Sequence, residues 1–243
     1  MPRIGERIVR LEETTSTIEV ARRLAEEGAG HGTVVLADRQ TSGRGRRGRA
    51  WTTVPGKSLA ATVVLRELPE SERLGLAGMA AALAVVGAAD SALGLALRTK
   101  WPNDVVAQGR KLAGTLAELH GEVLLLSLGL NINGTEADLP AELRETATTL
   151  ELLLGEPVDR EDVTARTLAA LDDCWRTLLA SPDLILCLWE ALDVTRGEEV
   201  VVTEAGGGAL LGRALGADPQ GRLRLLTSDG DERRLLVGEV TLA

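Results

Sequence analysis

Apolar positions recur at helical spacing through residues 18–27 (IEVARRLAEE). Thr14-Thr15-Ser16-Thr17 precedes them and Gly28 follows. A Ser/Thr cap, an acid in the first turn and a glycine stop predict a helix. The short β-branched runs 33–37 (TVVLA) and 57–65 (KSLAATVVL) predict strands. An Ala/Leu-rich run over 69–93, with a Glu/Ser start, predicts a buried helix. Residues 95–100, 104–107, 111–119 and 122–129 predict four further strands. Trp101-Pro102-Asn103, Gln108-Gly109-Arg110 and His120-Gly121 separate them and carry turn chemistry. Hairpins beside helices favour an α+β fold over a doubly wound parallel sheet.

Residues 133–148 are polar and include Leu139-Pro140, which predicts a loop. Helices are predicted over 160–179, started by Asp159, and over 182–192. Asp193-Val194-Thr195-Arg196-Gly197 breaks the pattern. Beyond it come short apolar runs at 200–203, 210–214, 223–227, 233–237 and 239–242. Turn-forming stretches such as Gly206-Gly207-Gly208 and Asp218-Pro219-Gln220-Gly221 lie between them. The chain therefore divides into a larger unit, 1–193, and a small β-barrel module, 194–243.

Composition narrows the function classes. Tyr and Phe are absent and Trp numbers four, so the core is aliphatic and no aromatic platform for single-stranded nucleic acid is available. The formal charge of -9 disfavours general DNA or RNA binding. Two cysteines, Cys174 and Cys187, make neither a disulfide framework nor a zinc site. The start is not signal-like, and no apolar run reaches about eighteen residues. The expectation is a soluble, cytoplasmic chain without membrane contact.

One stretch departs from the acidic background. Arg39, Arg44, Arg46, Arg47 and Arg49 fall within eleven residues, with Gly43, Gly45 and Gly48 among them. Glycines let backbone N–H groups approach a ligand, and arginines offer forked donors to phosphate or carboxylate. The alternatives are a solvated basic loop or a patch for RNA. The loop fits G-x-G-x-x-G without opening a helix, and no G-x-x-x-x-G-K-[ST] occurs.

Two further motifs carry candidate chemistry. Lys100-Trp101-Pro102-Asn103-Asp104 and Arg110-Lys111-Leu112-Ala113-Gly114 flank a tight turn. If Asp104 and Lys111 start adjacent strands of one hairpin, both face one pocket; otherwise they are a surface ion pair. Lysine holds a carboxylate against a phosphate, and aspartate can hold a magnesium ion. Asn131 and Asn133 alternate at a strand end, where i and i+2 share a face, so both amides could reach one pocket. An Asn-rich turn is the other reading.

Together these residues resemble biotin–protein ligase. The set is Ser16-Thr17, Gln40 with Gly43-Arg44-Gly45-Arg46-Arg47-Gly48-Arg49-Ala50-Trp51, Lys100-Trp101-Pro102-Asn103-Asp104, Arg110-Lys111-Leu112-Ala113-Gly114 and Gly129-Leu130-Asn131-Ile132-Asn133. The order and spacing match over nearly the whole chain, down to Gly238-Glu239-Val240. The resemblance implies a mixed-sheet catalytic domain over 1–193 and an SH3-like barrel over 194–243. It implies that biotin's carboxylate attacks the α-phosphate of ATP, giving biotinyl-5′-AMP. A lysine of a biotin carboxyl carrier domain, from acetyl-CoA carboxylase or a relative, then takes the biotinyl group.

By the same resemblance Ser16, Thr17, Gln40, Gly43, Arg44, Gly45, Arg46, Lys111 and Gly114 bind biotin. Arg46, Arg49, Trp51, Asn103, Asp104, Lys111 and Asn131 serve ATP. Lys111 and Arg46 are the catalytic candidates, and Asp104 the ligand of Mg2+. No tightly bound prosthetic group is implied. Family members occur as monomers or dimers, which leaves a homodimer open. The family's Ser-Thr pair is usually followed by Asn; here Ile18 follows and supplies no amide. Nothing before Thr14 could form the winged helix-turn-helix of some members, so the expectation is a ligase without DNA binding. A lipoate ligase, a binding protein without turnover and an RNA-binding module are the alternatives. Gly43 to Arg49 lacks the Arg-Arg-x-Ser-Gly-Gly-Gly type of stretch expected of a lipoate ligase.

Overall fold

Seven strands form one mixed sheet. In chain order they are β1 (Ile8–Thr14), β2 (Thr33–Gln40), β3 (Ser58–Leu65), β4 (Arg98–Lys100), β5 (Asp104–Ala107), β6 (Arg110–His120) and β7 (Val123–Asn131). In space they run β1-β2-β3-β7-β6-β5-β4. This computed structural model describes all residues except Met1, Ala205, Gly206, Val237 and Ala243, and the backbone only of Ser91 and Ala92. β1 and β2 pair in parallel; the other neighbours are antiparallel. A parallel pair needs a crossover, and α1 (Thr17–Glu26) supplies it.

The central strands are covered on both faces. On one side Ile18, Ala21 and Ala25 of α1 bury Val35, Val64 and Leu125. On the other, α2 (Ala77–Leu93) lies against Val63, Leu126, Leu128 and Leu130. That double burial explains why β3 (SLAATVVL) and β7 (VLLLSLGLN) read as nearly continuous apolar runs. Thr62 and Ser127 are their polar interruptions, and they pair across the two strands.

Alanines at 77, 80, 81 and 84 let α2 approach the sheet closely. At Gly78 a Cβ would lie 3.1 Å from Thr115 Oγ1, which donates to Gly78 O at 2.9 Å. The segment Ser71–Asp90 is long and apolar enough to cross a membrane by length and composition, contrary to the expectation that no such run occurs. In the fold it is a core helix, covered by α4 (Arg160–Ala180) and α5 (Pro182–Leu192).

The C-terminal strands β8 (Glu199–Thr203), β9 (Ala209–Ala217), β10 (Leu223–Thr227), β11 (Glu232–Leu235) and β12 (Glu239–Leu242) form an antiparallel sheet. Its order is β11-β10-β9-β8-β12. Val200, Val202, Leu223, Leu225 and Val240 join the same buried cluster as Trp101, Trp189 and Leu76. The buried Trp101 indole donates from Nε1 to Gly221 O (3.0 Å), tying the β4–β5 turn to this sheet.

The α+β class, the mixed sheet and the terminal β-module are as expected. Several element bounds differ. β1 (IVRLEET) escaped the pattern because it is an edge strand, studded with Arg10, Glu12 and Glu13. The helix over 69–93 is a 3-10 turn, Ser71–Leu76, followed by α2. The strand over 95–100 is confined to Arg98–Lys100. α3 (Leu150–Leu154) was missed; Thr149 caps it by accepting from Leu152 N at 3.0 Å. Gly206 of the glycine turn and Val237 of the strand over 233–237 lie outside the described residues.

Candidate active site

A cavity of ≈ 570 Å³ opens where β2, β5, β6 and β7 meet the Gly/Arg loop and the C-terminal sheet. The loop leaves β2 at Gln40 and closes on itself. Gly45 N donates to Arg49 O (2.8 Å) and Trp51 N to Gly43 O (2.9 Å). Arg47 takes a left-handed φ of 58° inside a 3-10 turn, Arg46–Gly48. No Cβ fits at Gly43, because the Trp51 carbonyl occupies that space.

The loop arginines do different things. Arg44 pairs with Glu19 of α1. Arg47 donates to Thr203 O (3.1 Å) and Glu204 O (2.7 Å), and Arg49 pairs with Glu239. These contacts fasten the loop to the C-terminal sheet. Arg46 faces the cavity, and among the described residues no carboxylate forms an ion pair with it. Burial pushes its guanidinium pKa down, while Asp104 nearby opposes that shift.

Lys111 opens β6 opposite β5. Its Nζ lies 2.7 Å from Asp104 Oδ1, so the two do share one hairpin and one cavity. The backbone of Lys111 is held from the other side, its N donating to Thr146 O (2.7 Å) and its O accepting from Thr148 N (2.9 Å). The end of the 133–148 loop thus forms part of the wall. Asn131 donates from Nδ2 to Thr148 O (3.1 Å) and lines the cavity. Asn103 lines it too, with its amide donating to Thr115 O.

Gly114 and Gly129 are paired across β6 and β7, and the Trp51 ring lies flat on them. A side chain at Gly129 would collide with that ring. Lys111 Nζ stands 5.6 Å from the ring centroid. On the far side, four polar side chains are linked. Gln40 Oε1 accepts from Thr17 N (2.9 Å) and Thr17 Oγ1 (3.1 Å). Thr17 Oγ1 meets Thr62 Oγ1 at 2.8 Å, which meets Ser127 Oγ at 2.9 Å.

Thr17, Gln40, Arg44, Gly45, Arg46, Arg49, Trp51, Asn103, Asp104, Lys111, Gly114 and Asn131 all line this one cavity. Ser16 and Gly43 stand behind its wall. The buried Ser16 hydroxyl caps α1, accepting from Ile18 N at 3.4 Å, and Gly43 makes the loop turn possible. Asn133 does not share the face of Asn131. It lies past the strand end, where its amide donates to Val158 O (2.9 Å) and accepts from Val158 N (3.0 Å). Ile18 lines the cavity with an apolar side chain. Sequence reasoning missed Ser127, Leu139, Leu143 and Glu239, which line it as well, and Thr62 behind it. The signal for Thr62 and Ser127 was a lone polar residue inside an apolar strand.

Known proteins share this fold and are similar in sequence. Residues 10–133 match the Biotin/lipoate A/B protein ligase family, and residues 195–242 the biotin protein ligase C terminal domain. The bifunctional ligase/repressor BirA of Bacillus subtilis (strain 168) is 32% identical over 235 residues, 93% of this chain and 71% of the relative. The biotin--[acetyl-CoA-carboxylase] ligase of Mycobacterium tuberculosis is 36% identical over 202 residues, 80% of this chain and 73% of the relative. The solved biotin protein ligase of Aquifex aeolicus in complex with biotin and ATP aligns with a TM-score of 0.84 and 30% identity, covering 98% of this chain and 99% of that one. With a matching fold, a matching C-terminal module and relatives of this similarity, the chain belongs to the Biotin/lipoate A/B protein ligase family.

Proposed function

We propose that the chain is an ATP-dependent biotin–protein ligase that makes biotinyl-5′-AMP and passes the biotinyl group to a lysine of a carboxylase carrier domain. One observation carries this: a lysine, an unpaired arginine and a two-glycine floor converge on a single cavity. Adenylation brings two anions together, and cations fixed in a partly dry site offset their repulsion. Lys111 is the group that bridges the biotin carboxylate and the α-phosphate, leaving Asp104 as it does so. Arg46 faces the same space and stabilises charge on the phosphate. Attack by a carboxylate oxygen forms the mixed anhydride and releases pyrophosphate. The carrier amine then attacks the acyl carbon, and AMP leaves.

The Gly114–Gly129 floor suits a flat ring, because its backbone can be approached closely. The Trp51 ring lies there and must turn aside before biotin enters; it then becomes available to the adenine. Arg49 and Asn131 complete the nucleotide side. Among the described residues no three His, Cys, Asp or Glu side chains cluster to hold a metal. Asp104 can give one oxygen to a magnesium ion that arrives with the ATP phosphates. The loop, fastened across the cavity mouth, shields the acyl-adenylate from water.

Biotin-dependent ATP–pyrophosphate exchange, followed by transfer of labelled biotin to an acceptor lysine, tests the proposal. Exchange with biotin but not lipoate is expected. No exchange with either acid would overturn it.

A further inference from the structure

We propose that Ser127 selects the substrate by accepting a hydrogen bond from a ureido N–H, and that a buried relay through Thr62 and Thr17 fixes it as an acceptor. The inference rests on the ligase reading and adds a specificity residue to it.

The relay begins at a group with no choice. The backbone N–H of Thr17 can only donate, and it lies 2.9 Å from Gln40 Oε1. The amide oxygen of Gln40 therefore faces α1, which settles an orientation that side-chain shape leaves ambiguous. The same oxygen lies 3.1 Å from Thr17 Oγ1. A carbonyl oxygen only accepts, so the single hydroxyl proton of Thr17 points to Gln40. Thr62 Oγ1, 2.8 Å away, must then donate to Thr17. Ser127 Oγ, 2.9 Å further on, must in turn donate to Thr62.

The relay has little freedom to reverse. Thr62 is fully buried and Thr17 is 2% exposed, so their short contacts to each other and to Gln40 set the orientation of both hydroxyls. With its proton committed to Thr62, Ser127 offers only lone pairs to the cavity it lines. Ser127 and Gly129 are i and i+2 on β7 and share a face, so Ser127 is beside the floor on which a ring would lie. Ile18 contributes no polar atom to this wall. Gln40 Nε2 is turned toward Gly43, where a Cβ would stand 3.0 Å from it.

A ligand that fits must bring a donor to Ser127. A cyclic urea carries two N–H groups. A dithiolane ring, the head of lipoic acid, carries none and would leave the Ser127 lone pairs desolvated and unpaired. Leaving such a group unpaired is a stronger source of discrimination than the change in ring size. Ser127 thus separates the two acids that the family name joins.

The test compares wild type with Ser127→Ala. Ligands are biotin and two biotin analogues, each with one ureido N–H replaced by oxygen. Affinity is read by calorimetry and turnover by pyrophosphate exchange. S127A is expected to raise the biotin Kd and KM about tenfold, with kcat and the ATP KM within about twofold of wild type. One of the two analogues should bind wild type and S127A equally. Thr62→Val should raise the biotin KM and Thr62→Ser should restore it, a rescue that a purely structural role would not produce. A biotin Kd unchanged in S127A, or an equal effect on biotin and both analogues, would overturn the assignment. Tight biotin binding by wild type without any exchange would overturn the ligase reading and leave the Ser127 comparison intact; wild type that fails to bind biotin would overturn both.

Discussion

The Lys111 ammonium rests 2.7 Å from Asp104 Oδ1, on the neighbouring strand of the same hairpin. Both side chains keep some exposure, 38% and 23%, so the pair adds at most about 1 kcal/mol to stability. Its value lies in position. Lys111→Ala is therefore expected to lower the adenylation kcat by about 100- to 1000-fold, the range for losing a preorganised charge-stabilising donor. The thermal midpoint should move by only a few degrees. Stopped-flow release of pyrophosphate measures the first quantity and calorimetry the second. Adenylation within about twofold of wild type would remove Lys111 from the chemistry.

Gly129→Ala tests the floor. The strand geometry at this position suits alanine, but the added methyl has no space beneath the Trp51 ring. The ring must move, and the surface for a flat ligand is lost. A biotin KM raised at least about tenfold is expected, since a one-methyl misfit in a packed site costs roughly 1–3 kcal/mol. The ATP KM should change less. An unchanged biotin KM would show that the ligand does not lie on Gly129.

Arg49 pairs with Glu239 on the surface, their side chains 63% and 41% exposed. The carboxyl of Glu239 is held below the usual carboxylate range, chiefly by its hydrogen bonds from Arg49. An exposed pair of this kind contributes little to folding. Arg49→Ala should leave the thermal midpoint almost unchanged and raise the ATP KM by about tenfold, the worth of one charge-assisted contact to phosphate. Steady-state kinetics at fixed, saturating biotin reads this directly. A large loss of stability with normal ATP kinetics would make Arg49 a structural staple only.

His31 gives a pH prediction. It is buried, and its Nδ1 accepts from Arg66 N (3.2 Å) and Glu67 N (3.1 Å). Protonating Nδ1 would set a proton against two N–H donors. Burial lowers its pKa from 6.5, with Arg176 acting the same way and Glu67 and Asp172 opposing. A depressed folded-state pKa means that neutral His31 contributes its stability above the unfolded value. That contribution is lost as pH falls from 6.5 through the folded pKa. The thermal midpoint should fall between about pH 7 and pH 5. The fall should shrink in His31→Asn, whose oxygen can accept the same bonds without titrating. Equal slopes for both proteins would remove His31 as the cause.

The sequence made much of the site legible, because its residues cluster in three short motifs. The Gly/Arg loop, the Lys111–Asp104 hairpin and Asn131 all reach one cavity. What it hid depends on register. Thr62 and Ser127 are 65 positions apart and meet only because β3 pairs with β7. Glu239 and Arg49 are 190 apart and meet only because the C-terminal sheet folds back. Asn133 misled because the strand ends at Asn131, after which alternation no longer sets direction. The edge strand β1 was hidden by its charges, which suit an edge but erase the apolar alternation.

The Trp51 ring on its glycine floor has an optical consequence. The chain contains four tryptophans and no tyrosine or phenylalanine. Trp175 and Trp189 are fully enclosed in the core away from the cavity, both at 0% exposure, while Trp101, at 1%, forms part of the cavity wall. Trp51 is half-buried, on the Gly/Arg loop where it lines the cavity. The protein thus carries two native fluorophores at the cavity, one of them on the loop, and a change in tryptophan emission on adding biotin is the expected label-free readout of occupancy.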